Sequence, residues 1–164
     1  MSGAAVSAVQ AAGIAHRVLR HGPVGSVAEA AAAQGMEVRD LVKTLVVRRA
    51  DGEYVFVLVP GDRVISWPKL RARLGVNRLS LPDAATAQQA TGYERGTITP
   101  FGSVTAWPVI ADERLRGRTI GLGAGEHGVG LEVAADEAAT ALKATFADVT
   151  EPEPVRPDRP TTAA

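Results

Sequence analysis

The chain has 164 residues, 46% of them hydrophobic, which is enough for one domain with a real core and too few for two comfortable ones. Eighteen Lys and Arg balance eighteen Asp and Glu, so an extended basic face for gripping nucleic acid is excluded, although local patches are not. With no cysteine and three scattered histidines, a disulfide framework, a thiolate zinc site and a histidine ligand pair at helical spacing are excluded too, and neither metal nor cofactor is expected.

In chain order, the alanine-rich start MSGAAVSAVQAAGIAHR lacks the charged n-region and leucine-rich h-region of a signal peptide. Nowhere do 18 apolar residues run together, so a soluble, cytoplasmic protein with no membrane partner is expected. Ser26 and Glu29 have the spacing of a capping box, which opens an alanine-rich helix that Gly35 can close. The run VKTLVVRRADGEYVFVLV places two β-branched stretches around Asp51 and Gly52, a pair suited to a tight hairpin turn. A short basic helix, WPKLRARLG, follows with Pro68 in its first turn, and Pro82 begins another through DAATAQQAT.

Residues 91–102, TGYERGTITPFG, keep no periodicity and read as a loop. SVTAWPVI and RTIGL read as short strands, and VGLEV puts Val129, Leu131 and Val133 on one face of another. A last helix begins near Ala135 and turns Ala138, Ala141 and Leu142 inward, with TFADV closing the domain. The final EPEPVRPDRPTTAA has four prolines in fourteen residues and reads as a disordered tail, residues 151–164, after a domain of residues 1–150. Strands and helices mix without strict βαβ alternation, so the class is α+β around a mixed, largely antiparallel sheet.

Within TIGLGAGEHGVGLEV, Gly123, Gly125 and Gly128 spell the G-x-G-x-x-G of dinucleotide-binding folds, and Asp148 even lies 20 residues on. That fingerprint needs a helix opening inside the glycine turn, so that its N–H groups face a pyrophosphate. Here an alternating strand pattern follows Gly128 instead, so the glycines are read as a connection between two strands and the spacing of Asp148 as a coincidence.

Three features could carry chemistry. Lys43, at the start of an apolar strand, either snorkels to the edge or projects into a cleft, where its ammonium can hold an anionic or developing negative oxygen. The loop 91–102, fixed by Gly92, Gly96, Pro100 and Gly102, is either plain surface or a rigid cradle of N–H groups aimed at a carbonyl or carboxylate. Arg63, Lys69, Arg71, Arg73 and Arg78 form a basic stretch with no acid between Asp62 and Asp83. It is either a solvated face or a contact for phosphates.

The lysine of VKTLVV, the G-x-x-x-P core at residues 96–100, and GAGEHGVGLEV followed by a helix and FADV together resemble the YbaK/ProX-type prolyl-tRNA editing domains, from about Ile14 to Val149. The resemblance implies a single domain with a barrel-like mixed sheet and flanking helices. It also implies an aminoacyl-tRNA deacylase of the free-standing kind, removing a small noncognate amino acid such as Cys, Ala, Ser or Thr, commonly from tRNA for proline. The family's near-invariant lysine falls on Lys43, with the role of holding the ester or the terminal adenosine's phosphate. Its substrate-binding loop falls on Gly96, Thr97, Ile98, Thr99 and Pro100, and the segment lining its amino-acid pocket on Gly123 and Ala124.

His21 falls where many members carry a histidine beside the cleft, whereas His127 reads as a loop residue beyond the pocket. The basic residues Arg63, Lys69, Arg71, Arg73 and Arg78 would touch acceptor-stem phosphates. Thr44 stands where alanine-specific members usually have asparagine and looks more like the cysteinyl-type branches, which leaves substrate choice open. The partners implied are aminoacylated tRNA and either prolyl-tRNA synthetase or an elongation factor, met by a monomer. The alternative is a non-catalytic module for a tRNA end or a synthetase that keeps the fold.

Overall fold

The two valine-rich runs form the central hairpin, β2 (Val42–Ala50) and β3 (Glu53–Pro60), turning at Asp51 and Gly52, where Gly52 takes φ +69°. This computed structural model describes residues 3–154. β3 is buried at six consecutive positions because it is covered on both faces, as strands in parallel contact are. On its far side it pairs in parallel with β5 (Val109–Asp112), which pairs in parallel with β8 (Thr145–Ala147). β2 is left at the outer edge of this four-stranded sheet.

A second sheet, ordered β1-β7-β6, is antiparallel and consists of β1 (His16–Arg20), β6 (Thr119–Gly123) and β7 (Val129–Ala134). A third joins β4 (Arg63–Ile65) to β9 (Thr150–Pro152). The sheet is therefore mixed and mostly antiparallel, as expected. It is divided in three, with a bridge between Leu41 and Gly121 linking the first two, and does not close into a barrel.

One core fills the space between the first two sheets. Val42, Val46, Phe56 and Leu58 meet Ile120, Leu122, Leu131 and Val133 there, with Ala5 and Val9 of α1 (Ala4–Ala12) and Ala138 of α5 (Ala135–Leu142). The alternate residues Val47, Val55, Val57 and Val59 form a second core with Ile65, Val149 and Leu70 of α3 (Trp67–Leu74). Full burial of Leu70 contributes roughly 1.5–3 kcal/mol to docking α3.

The Ser26 cap acts as the sequence indicates, accepting from the Glu29 N–H at the start of α2 (Val27–Ala33), and Ser66, not anticipated as a cap, accepts from Lys69 at α3. At α4 (Ala84–Thr91) the capping side chain is that of Asp83, accepting from Thr86, and the helix starts after Pro82 rather than on it. Among the described residues no helix is long and apolar enough to cross a membrane.

Four expectations change. SVTAWPVI is a strand only from Val109, because Pro108 has no N–H for a ladder and offers β3 just its carbonyl, bonded to the Phe56 N–H. In α5 Ala138 turns inward as anticipated and half-buried Leu142 packs on the core, but Ala141 is exposed and its expected place on the inner face is taken by Ala135 and Ala139. Glu151 and Pro152, assigned to the tail, pair with β4 instead, and residues 155–164 lie outside the described residues. The start of the chain, given no element, supplies α1 and β1.

Candidate functional site

The glycine segment between β6 and β7 contains no helix: Gly123 ends one strand, Val129 begins the next, and Gly125 and Gly128 take φ +80° and +77°. A cavity of about 1070 Å³ opens beside this connection, between α2, the outer edge of β2, the start of α4 and the loop around Gly96. Lys43, His21, Gly96, Ile98 and Gly123 all line it, so residues up to 102 positions apart in sequence meet in one cleft.

Lys43 is half-buried, and its ammonium donates to the Arg63 carbonyl. Burial lowers its pKa from the ordinary lysine value, an effect opposed by the negative charges of Glu153 and Asp62. One of its three protons is committed to Arg63, which leaves two for a ligand.

The loop 91–102 is rigid because its own side chains hold it. Tyr93 Oη donates to the Phe101 carbonyl (2.6 Å), and Thr97 Oγ1 donates to that of Glu94 (2.7 Å). The Gly125 N–H reaches the Thr97 carbonyl (2.9 Å). Among the described residues, the N–H groups of Gly96 and Ile98 have no acceptor in the protein. Thr97, Thr99 and Pro100 are buried behind the cleft and do not line it.

Of the two residues expected to line the amino-acid pocket, Gly123 lines the cavity and Ala124 does not. The place of a Cβ on Gly123 is taken by the Ile98 and Thr97 carbonyl oxygens, at 2.8 and 3.0 Å, so this glycine lets the loop lie against β6. Ala124 is buried and lines a separate hollow of about 270 Å³. His21 gives its Nδ1 proton to the Gly22 carbonyl (2.8 Å), because a carbonyl can only accept, and Nε2 keeps its lone pair in the neutral ring. His127, expected beyond the pocket, instead lines the cavity, and it pairs with Glu94 at 3.0 Å, both side chains being well exposed.

The basic stretch does not act as one face. The Arg63 guanidinium is spent on Thr150, Nε to Oγ1 at 2.7 Å and NH2 to the carbonyl at 3.2 Å, and Thr150 Oγ1 in turn donates to the fully buried Asp112 carboxylate at 2.9 Å. Lys69 donates to both oxygens of Asp148 at 3.0 Å, which gives that aspartate a role after all: Arg114 shares Oδ1 at 2.9 Å. These two cations keep its pKa below the usual carboxylate range. Among the described residues, Arg71, Arg73 and Arg78 have no ion-pair partner, and none of the five lines the cavity.

Residues not foreseen also line the cleft, among them Gln34, Arg95 and Glu126. Gln34 closes α2 with its amide folded back on the Ala30 carbonyl (3.3 Å), and its Oε1 fills the notch left by Gly130. A glutamine ending an alanine run was the signal available. Arg95 could be suspected from its place beside Gly96 in the loop.

The aminoacyl-tRNA editing domain family matches residues 21–141, which takes in every wall of this cavity. The chain belongs to that family. The editing domain is 37% identical over 130 residues to a proline--tRNA ligase of Desulfovibrio desulfuricans, covering 75% of this chain and 22% of the ligase. With a proline--tRNA ligase of Thermosipho melanesiensis the figures are 35% over 101 residues, 61% and 18%, so it spans about a fifth of these relatives' length. A protein of Enterococcus faecalis named "Putative Cys-tRNA(Pro)/Cys-tRNA(Cys) deacylase EbsC" is 27% identical over 120 residues, 73% of each chain. Among solved structures, one described as "a putative trans-editing enzyme for prolyl tRNA synthetase" superposes on the editing domain with a TM-score of 0.83 at 25% identity, covering 92% of this chain and 99% of that one.

Proposed function

We propose that the chain is a hydrolase that acts in trans on mischarged tRNA, cleaving the ester between the terminal ribose and a small noncognate amino acid such as Cys, Ala, Ser or Thr, with tRNA for proline the first candidate. The observation that carries this reading is the convergence of Lys43, the Gly96 and Ile98 loop and the β2 edge on one cleft. About 1070 Å³ is far more than a small side chain needs and leaves room for the terminal adenosine. The relatives' names point the same way, as does the match over nearly the whole of a structure described as trans-editing.

In the reaction, an oxygen nucleophile, water in the simplest case, adds to the ester carbonyl carbon. The carbonyl oxygen takes the negative charge, and collapse breaks the bond to the ribose oxygen, which leaves with a proton. The free N–H groups of Gly96 and Ile98 stabilise the oxyanion from a loop already rigid, so little reorganisation is needed as charge develops. Lys43 supplies positive charge for the terminal phosphate or the ester at short range, strengthened by its partial burial. Arg71, Arg73 and Arg78, without ion-pair partners among the described residues, contact acceptor-stem phosphates from outside the cleft. The test is a panel of aminoacyl-tRNAs with ester loss measured for each. Accelerated loss from at least one small noncognate species supports the reading, and loss from none leaves the chain a binding module.

A further inference from the structure

In an antiparallel pair, alternate residues turn both main-chain groups toward the partner strand and those between turn theirs away. Two sets of bonds fix the phase of β2. Arg48 exchanges bonds with Ser80, outside the sheet, at 2.8 and 3.2 Å. Phe56, opposite Val46, gives its N–H to the Pro108 carbonyl on the β5 side at 2.8 Å, so it does not bond Val46. Val46 and Arg48 therefore face outward, and by the same period Thr44 and Val42 do too.

This outer edge is closed at one end by the Arg48–Ser80 bridge and at the other by the bridge from Leu41 to Gly121. Between them, among the described residues, the outward main-chain groups of Thr44 and Val46 have no backbone partner, and both residues line the cavity. The protein thus keeps a gap of fixed length in an otherwise paired edge and places it where the candidate substrate must lie. An unpaired strand edge offers alternating donors and acceptors to any extended main chain.

We propose that this gap seats the aminoacyl group as one added residue of antiparallel ladder: its α-ammonium donates to the Thr44 carbonyl and its ester carbonyl accepts from the Thr44 N–H. This rests on the deacylase reading above. The antiparallel sense directs the ester oxygen and ribose toward the Lys43 end of the strand. The second lone pair of the ester carbonyl stays free for the loop N–H groups. The amino acid's side chain falls on the same sheet face as that of Thr44, whose Oγ1 is itself buried without a partner.

Two consequences follow for substrate choice. An α-nitrogen carrying an acyl group has lost its charge and two of its three protons, so its bond to the Thr44 carbonyl is weaker and peptidyl and N-acylated esters are disfavoured. A primary ammonium turns freely to aim a proton at Thr44, whereas in proline the ring fixes the torsion about the nitrogen and puts a methylene in place of one proton. Proline, with one proton fewer and a fixed torsion, is then disfavoured through its main chain.

The test titrates ¹⁵N-labelled protein with 3′-alanylamino- and 3′-serylamino-3′-deoxyadenosine, non-hydrolysable amides of the tRNA end, and with their N-acetylated forms. The expected result is a shift and slowed exchange of the Thr44 amide proton, with the acetylated forms bound at least tenfold more weakly. Thr44→Pro, tolerated on an edge strand whose N–H faces outward, removes the donor and should weaken binding at least tenfold. Should that variant not fold, the Thr44 amide signal in the wild type decides. Binding that leaves this signal unmoved, or that acetylation does not weaken, overturns the proposal. Failure of both free-amine analogues to bind overturns it together with the deacylase reading. Binding of the expected kind by a protein that hydrolyses no aminoacyl-tRNA overturns the deacylase reading alone.

Discussion

Replacing Gly123 by alanine tests whether the position of the Gly96 loop, rather than its chemistry, limits the reaction. A Cβ there lies 2.8 Å from the Ile98 carbonyl oxygen and 3.0 Å from that of Thr97, where ordinary contact begins at 3.4 Å. Both are main-chain atoms and cannot swing aside, so loop and strand must separate by about 0.6 Å in a close-packed region. Overpacking of this kind costs about 1–3 kcal/mol, and Tm falls by roughly 2–4 °C for each kcal/mol in a chain of this size. Gly96 and Ile98 move with the loop, and since misplacement by ~1 Å can cost ~100-fold in rate, a loss of tenfold or more is expected. Single-turnover deacylation beside a thermal melt measures both effects. Gly52→Ala is the control: it strains a φ of +69° with nothing within 4 Å, so it should cost about 1–2 kcal/mol of stability and leave the rate unchanged. A Gly123→Ala variant with the wild-type rate and Tm would refute the reasoning.

Burial lowers the Lys43 pKa, so its charge opposes folding at neutral pH, and this penalty begins to fade as pH rises through the lowered pKa and is gone above the ordinary lysine value. Lys43→Met should therefore abolish deacylation while its Tm at pH 7 stays at or above the wild type's, and the wild-type rate should decline with rising pH earlier than the ordinary lysine value of ~10.4 would predict. Asp112→Ala should destabilise by roughly 3–5 kcal/mol in chemical denaturation, because it strips a buried acceptor from Thr150, Val149 and Arg114. Neutralising Arg71, Arg73 and Arg78 together should weaken tRNA binding and flatten its dependence on salt, whereas Arg63→Ala should lower Tm with the salt slope unchanged. The Asp148 ion pairs contribute fully above the usual carboxylate pKa of ~3.9 and fade as pH falls through its depressed value, so Asp148→Asn should lose the acid end of the wild-type stability profile.

Elements marked by local chemistry were legible in the sequence. Asp51 and Gly52 between β-branched runs gave the hairpin, and the Ser26–Glu29 capping box and Pro68 gave two helix starts, whereas the Ser66 cap was not anticipated. β4 and β9 were not legible: each has three residues, and they exist because Val64 and Glu151, 87 positions apart, pair, with the Arg63 side chain bonded to Thr150. The same fact misled the reading of Arg63, whose charge suggested phosphate until its partner was seen. α1 begins on Gly3 with no capping side chain, so nothing local announces it.

Of the cavity lining, Lys43, Gly96 and Ile98 were singled out through the family resemblance of VKTLVV and residues 96–100. The function of Gly123 was not legible, because what a missing Cβ makes room for depends on which segment packs there. Gln34 was hidden for the same reason, since its seat is the notch at Gly130 in a different sheet. The phase of the β2 edge was equally out of reach, because Ser80 and Pro108, which fix it, lie in segments without regular structure.

The central claim is that this cleft hydrolyses aminoacyl esters with help from Lys43. It is tested most directly by the rate of ester loss from tRNA for proline charged in turn with Cys, Ala, Ser and Thr, with wild-type protein and Lys43→Ala side by side. The account predicts that wild type accelerates loss of at least one ester well above the spontaneous rate, and that a folded Lys43→Ala protein does not. Equal rates for the two proteins, or no acceleration of any ester by wild type, would contradict it.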